Sequence, residues 1–357
     1  MMDRSRLTAK WVSEIPVYLA SLVPVALCIA LLTTKGIYPD AMPIWVNARL
    51  FLLSVTAMAC IDATVQLVRH KPQSPIAHMK ARYSSPTARY AFVAALPLLF
   101  MSIAIIPFFS KMKAAIPLFN PYSWDDTFVA WDQAIFFGKD AWEVLQPVLG
   151  FPIITAFLAV LYHLWMLLLY PGCLFFLYAN IDEKLRRQFF LSYALSWSMI
   201  GGVMATMLSS VGPVFLGPIM GDTRFDEQMA YLNAANEQIP VLTLGVQELL
   251  LEWHVEKTNG LGSGITAMPS MHCAIAFLFW LAMRKVSRGA GLFFGAFFAI
   301  TWISSVHLAY HYAVDGLVSL IAVAIVWKLS GAIISAWDAY LARRVQPTLR
   351  TNTVPAE

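Results

Sequence analysis

The stretch FPIITAFLAVLYHLWMLLLYPGCLFFLY, residues 151–178, runs for 28 residues without an Asp, Glu, Lys or Arg. A bilayer's hydrocarbon core is spanned by about 20 mostly apolar residues. Seven further apolar runs occupy 15–33, 44–68, 89–110, 189–216, 268–283, 291–309 and 314–333. The run at 268–283 is short, and apolar or small neighbours allow it to lengthen at either end. Across all 357 residues, 59% are apolar and 13% charged, against roughly 45–50% and about 25% in soluble domains. The pattern predicts an all-α integral membrane protein with about eight transmembrane helices. It excludes a disordered chain, a collagen, a coiled coil and an ordinary soluble enzyme. Nucleic acid is excluded as a partner, because the net charge of +4 is small and arranged for a membrane.

Lys and Arg in short loops set orientation. Basic groups cluster at the N-terminus (Arg4, Arg6, Lys10) and after the second run (Arg69, Lys71, Lys80, Arg82). They recur after the fourth run (Lys184, Arg186, Arg187), after the sixth (Arg284, Lys285, Arg288) and in the tail (Arg343, Arg344, Arg350). The alternate loops, 111–150 and 217–264, are acidic. Eight spans with both ends cytoplasmic satisfy this alternation. The first run is read as a retained helix rather than a cleaved signal peptide, because it is long for a signal's apolar core and no clear small-x-small site follows before Lys35. Trp124, Trp131 and Trp142 in one outer loop, and Met229, Leu249 and Trp253 in the other, alternate with polar residues. Such segments lie in the membrane interface, so both outer loops are expected to hold interfacial helices. Cys28, Cys60, Cys173 and Cys273 each sit in an apolar run without a paired spacing. They read as small packed side chains, not as a disulfide frame or metal site.

The histidines point to chemistry. His272 opens the sixth run, and His307 and His311 close the seventh, which puts all three at one membrane boundary. Asp315 extends the series, and steps of four share one face of a continuous helix. Ionisable residues at membrane depth are functional hypotheses by default. An Asp beside a His fixes its tautomer and makes it a useful base or nucleophile. Ahead of His272 lies the glycine-rich stretch 260–264, ending at Gly264, followed by Pro269 and Ser270. Glycines before a helix N-terminus leave backbone N–H groups open to an anion, and Ser270 adds a hydroxyl. Gly264 and Ser270 are therefore candidate phosphate contacts. His307 either bonds an acceptor or fills the face beside His311. A zinc site from His272, His307, His311 and Asp315 is chemically possible, but it has no supporting ligand spacing. His163 and Asp62 lie within spans, as internal polar groups or as part of a substrate path.

Pro269-Ser270-Met271-His272, followed by His311-Tyr312-Ala313-Val314-Asp315, resembles the second and third motifs of the type 2 phosphatidic-acid phosphatase superfamily. The resemblance is closest to the branch of the aureobasidin-resistance inositolphosphoryl transferases and related bacterial proteins. Ser209-Ser210-Val211-Gly212-Pro213 and the segment 125–142, with Asp132 and Gly138, resemble further features of that branch. The resemblance implies a six-helix membrane core and a double displacement. His311 would be the nucleophile, Asp315 its orienting carboxylate, and His272 the acid and then the base. It implies no metal and no cofactor. Two features depart from the superfamily pattern. Its first motif, a Lys followed seven residues later by Arg-Pro, is missing because no Arg-Pro occurs. In the third motif Ser304 matches, but Ser305 stands where arginine is usual. Arg224, Lys257 and Arg49 are left as candidates to neutralise a phosphate.

The expected organisation is an N-terminal end with two extra spans (1–87), a catalytic membrane domain (88–333) and a basic cytoplasmic tail (334–357). The expected substrate is a phospholipid or prenyl phosphate among membrane lipids, resolved by water in a phosphatase or by an alcohol in a transferase. The expected site is the periplasmic face of a bacterial inner membrane. A silent transporter or scaffold on the same fold is the alternative, and the His–His–Asp set argues against it.

Overall fold

A computed structural model describes residues 4–38, 42–258 and 260–350. Residues 351–357 of the expected tail lie outside them. The described residues form helices and no strand. In order these are α1 (Arg4–Ser13), α2 (Ile15–Thr34), α3 (Met42–His70), α4 (Pro75–Tyr83), α5 (Pro86–Phe119), α6 (Asp125–Ile135), α7 (Ala141–Leu149), α8 (Pro152–Tyr178) and α9 (Glu183–Leu195). After α9 the chain continues as a π-helix over Ser196–Met204 into α10 (Ala205–Met207). Then come α11 (Pro213–Phe215), α12 (Asp226–Gln238), α13 (Leu242–Glu256), α14 (Met271–Val286), α15 (Arg288–His307) and α16 (Ala313–Arg350).

Among the described residues, seven stretches are long and apolar enough to cross a membrane: α2, α3, α5, α8, Glu183–Met207, α15 and α16. The chain is a multi-pass integral membrane protein. The predicted short run becomes α14, whose 16 residues span about 24 Å at 1.5 Å per residue. Ten of its residues are buried, because it packs inside a ring of α8, α9, α15 and α16. Ser287 ends α14 in extended backbone and caps α15 by accepting the Ala290 N–H at 3.1 Å, which folds the two helices into a tight antiparallel pair.

α2 and α3 sit at the periphery, and little of their apolar surface is buried by protein. A buried polar contact still pins α3. The Asn47 amide donates to the Ile103 carbonyl at 2.7 Å and accepts from the Tyr170 hydroxyl at 2.8 Å. Such bonds average about 0.6 kcal/mol within a bilayer, so they fix position more than they hold the fold. Where the basic loops gather, the Arg187 guanidinium grips Asp338 with bonds of 2.6 and 3.0 Å, and the Trp337 indole donates to the Val12 carbonyl. These contacts tie α1, α9 and α16 together.

Several expectations change in detail. α5 continues to Phe119, so Lys111 and Lys113 lie on a helix and not in a loop. α16 runs on to Arg350 where a tail was expected. Asp62 pairs with Arg82, both bonds being 2.8 Å, and accepts from Tyr83 of α4. Cys173 and Cys273 are buried and Cys28 is half-buried, but Cys60 is exposed.

Candidate active site

The sequence after α15 does not continue one helix. The chain turns at Ala309, whose φ is +59°, and α16 starts afresh at Ala313. His307, His311 and Asp315 therefore do not share a continuous helical face. His311 and Asp315 meet all the same. Asp315 lies in the first turn of α16, and its Oδ2 is 3.0 Å from His311 Nδ1. The same oxygen accepts the Tyr312 N–H at 3.1 Å. Asp315 is fully buried and His311 nearly so. Ser319 closes the base of this turn by donating to the Asp315 carbonyl at 2.6 Å.

Two carboxylates of α6 hold this turn in place. Asp125 and Asp132 are seven residues apart, about two helical turns, so they share a face. Asp132 accepts the Ala313 and Val314 N–H groups at 2.7 and 2.9 Å. These are first-turn donors of α16 that no helical carbonyl can satisfy. Asp125 accepts the Gly212 N–H at 2.9 Å, the Val211 N–H at 3.0 Å and the Tyr312 hydroxyl at 2.8 Å. Burial pushes the Asp125 carboxyl above its ordinary range, and it pushes Asp132 up to about 6 despite the two N–H donors. The expected interfacial helix α6 is thus sunk into the protein as a clamp.

The remaining loops are knitted to this clamp. The Ser210 carbonyl accepts the Ala267 N–H at 3.1 Å, and its hydroxyl accepts the Met268 N–H at 3.2 Å. Val214 N–H donates to the Ala309 carbonyl at 2.9 Å. The segments 208–214, 264–270 and 308–312 form one layer over the ends of the spans.

At the start of α14, Ser270 is an N-cap, its hydroxyl oxygen 3.4 Å from the Cys273 N–H. The next turn presents His272, which stacks on Tyr162 with ring centres 4.5 Å apart and lies 4.3 Å from the Trp165 ring. The Trp165 indole donates to the His272 carbonyl at 3.1 Å. His272 and His311 both line a cavity of about 340 Å³, whose remaining wall is largely apolar and includes Phe109, Trp165, Trp197 and Leu249. Gly262 and Gly264 also line it. Gly264 has a φ of +92°, and a side chain there would collide with the α5 backbone at Lys113 and Ala114.

The structure therefore brings His272, His311, Asp315 and Gly264 together. It separates the other two expected contacts. Ser270 is fully buried and occupied as a cap, and it does not line the cavity. The His307 Nε2 lies 2.9 Å from the Thr155 hydroxyl, which in turn lies 2.6 Å from the Tyr231 hydroxyl. His307 thus joins a buried polar group outside the cavity lining. His163, which does line the cavity, has its Nδ1 2.9 Å from the Ala159 carbonyl. Arg224 is engaged by Asp126 and Asp222, each at 3.4 Å. Neither it, Lys257 nor Arg49 lines the cavity. Among the described residues no group of three or more His, Cys, Asp or Glu gathers to hold a metal ion.

Lys113 is the residue that sequence reasoning missed. It lines the cavity, and it is the only Lys or Arg among the described residues that does so. A signal was present. Asn120-Pro121 follows Lys113 at the spacing of the superfamily's first motif, with Asn where Arg is usual.

The arrangement has defined chemical capacity. With the carboxylate on Nδ1, the proton sits there and Nε2 carries the lone pair. An imidazole so oriented is a nucleophile, and a second imidazole across the cavity supplies proton transfer. A lysine, the Gly264 backbone and the N-terminus of α14 suit an anion, whereas the Gly262 N–H already donates to the Ser110 hydroxyl at 2.9 Å.

A family model described as the PAP2 superfamily matches residues 126–329, over half of the chain. The match covers α7–α15 with most of α6 and the first part of α16 to residue 329, and leaves out α1–α5. No curated protein and no solved structure matches.

Proposed function

The chain belongs to the PAP2 superfamily, whose members are generally phosphatases, and from that premise we propose a lipid-phosphate phosphatase or phosphotransferase that works through a phosphohistidine on His311. The observation that carries this reading is the His311–Asp315 pair opening onto a cavity shared with His272 and Lys113.

In the proposed reaction, His311 Nε2 attacks the phosphorus of a bound phosphate ester and the bond to the leaving oxygen breaks. That oxygen takes its proton from His272. Asp315 stabilises the positive charge on the His311 ring. A water or alcohol then loses its proton to His272 and attacks phosphorus. The P–N bond breaks, and phosphate or a new phosphoester leaves with both histidines restored. Lys113 and the Gly264 backbone offset the charge on the phosphoryl oxygens, a contribution of the kind that is usually the largest in such chemistry. Asp125 and Asp132 act by positioning. The sequence uses no metal or cofactor.

The proposed organisation keeps 88–333 as the catalytic membrane domain, with 1–87 as added spans and 334–357 as a basic terminal extension. Ser305 and Asn120, each standing where the superfamily commonly has arginine, support the inositolphosphoryl transferase-like branch. The loop charges support a site at the outer leaflet of a bacterial inner membrane, with both termini cytoplasmic. The testing experiment supplies membranes carrying wild-type protein or His311→Ala with headgroup-labelled phospholipids and prenyl phosphates, with and without diacylglycerol, ceramide or inositol. Free phosphate that depends on His311 identifies a phosphatase, and new phospholipid that depends on it identifies a transferase. Equal turnover by both proteins refutes the reading.

A further inference from the structure

A second cavity of about 390 Å³ lies between α2, α5 and the π-helix Ser196–Met204. Phe109 and Trp197 line both it and the His311 cavity. Their rings meet edge to face with centres 4.7 Å apart, so this aromatic pair is the wall between the two spaces.

Three helix irregularities build the groove. Pro24 lies inside α2 and Pro107 inside α5, each removing a helical hydrogen bond. The π-helix widens its turns around Gly201 and Gly202. At Gly201 an added carbon would lie 2.5 Å from the Phe109 ring, so only glycine lets that ring seat there. The outer rim, formed by Val23, Leu27, Leu31 and Val203, is exposed and lies on membrane-crossing helices. The polar wall residues are turned inward. Cys28 contacts the Phe108 carbonyl, Ser198 donates to the Ala194 carbonyl, and Thr206 donates to the Gly202 carbonyl. The groove therefore offers hydrocarbon only.

We propose that this groove holds one hydrocarbon chain of the lipid substrate, entering sideways from the bilayer while the phosphate reaches His311 past the Phe109–Trp197 pair. The inference rests on the lipid-phosphate reading. It also gives α2 and α5, which lie outside the matched region, a role in substrate selection. A chain moving from bilayer to groove gains little hydrophobic energy, because lipid tails are already as apolar as leucine. The groove acts by placing the headgroup, so its effect falls on turnover of long-chain substrate.

The test fills the groove. A carbon added at Gly202 meets only the Trp197 carbonyl, at 3.8 Å, so Gly202→Leu projects into open space. Val203→Phe is the second variant. For each, kcat/KM is measured on dipalmitoyl and dibutyryl phosphatidate in detergent. The long-to-short ratio is expected to fall about tenfold or more, the scale on which apolar pockets discriminate. A ratio within about twofold of wild type overturns the groove. An activity-independent readout uses the intact protein in vesicles containing a phosphatidate with a diazirine near its acyl terminus. Label concentrated in 23–31 and 197–207 supports the proposal, and label spread evenly over lipid-facing residues such as Leu52 and Leu53 overturns it. If wild type turns over neither phosphatidate, phosphatidate fails as the substrate of the lipid-phosphate reading while the labelling result still judges the groove.

Discussion

Gly264→Ala tests whether the glycine turn is a spacer between α5 and the cavity. The added carbon would lie 2.5 Å from the Ala114 nitrogen, where ordinary contact begins at 3.4 Å. One of the two backbones must retreat by about 0.9 Å, the difference between those distances, and both belong to the cavity wall. Overpacking of this kind costs about 1–3 kcal/mol, and the left-handed backbone at Gly264 adds about 1–2 kcal/mol for any other residue. Gly262 is a built-in control. Its φ of +84° carries the same backbone penalty, but an added carbon there meets nothing within 4 Å. Gly262→Ala should therefore cost only the backbone term, and Gly264→Ala about 1–3 kcal/mol more. A displacement near 1 Å beside Lys113 should also lower kcat/KM by about a hundredfold. Thermal unfolding in detergent and turnover of phosphatidate read the two effects. If Gly264→Ala melts and turns over like Gly262→Ala, the close approach of the turn to α5 has no consequence and the reasoning is wrong.

Other perturbations separate the parts of the site. Lys113→Ala should lower kcat/KM by about a hundredfold or more with little change in melting, and Lys113→Arg should recover part of the loss. Asp125→Ala strands the Val211 and Gly212 N–H groups and the Tyr312 hydroxyl, at about 1–3 kcal/mol each. It should melt well below Tyr312→Phe, which removes a single donor, and the reverse order would contradict the clamp. Asp132 titrates near 6 in the folded protein because burial raises it, against about 3.9 when unfolded. Stability from this group is complete below about pH 4 and is lost as pH rises through 6. Melting of wild type relative to Asp132→Asn should therefore fall over that window, and a flat or rising difference would show that the two N–H donors win over burial.

The membrane architecture was legible because uncharged runs of spanning length admit few other folds. Even α14 was visible, although its 16 residues become sufficient only through enclosure by its neighbours. The His311–Asp315 pair was legible from spacing, but for an incomplete reason. The helix expected to align it breaks at Ala309, an alanine in left-handed backbone that leaves no mark in sequence. That break also sends His307 to Thr155. Ser270 precedes a helix, and its capping role outweighed its reading as a phosphate donor. Lys113 was hidden because hydropathy ended the third run at residue 110, whereas α5 continues for nine more residues. The carboxylates of α6 read as outer-loop charge, and Asp132 also as a feature of the family resemblance, with no partner assigned to either. Their partners are backbone donors on α16 and the 208–212 loop, which only the folded chain brings within reach.

The central claim is covalent, and it is tested most directly by trapping. Purified protein in detergent is mixed with phosphatidate labelled with ³²P in its phosphate, quenched in alkali after milliseconds and digested. The account predicts alkali-stable, acid-labile label on the peptide containing His311, formed and lost within the turnover time and absent from His311→Ala. Turnover that proceeds without such label, or that survives intact in His311→Ala, would contradict it.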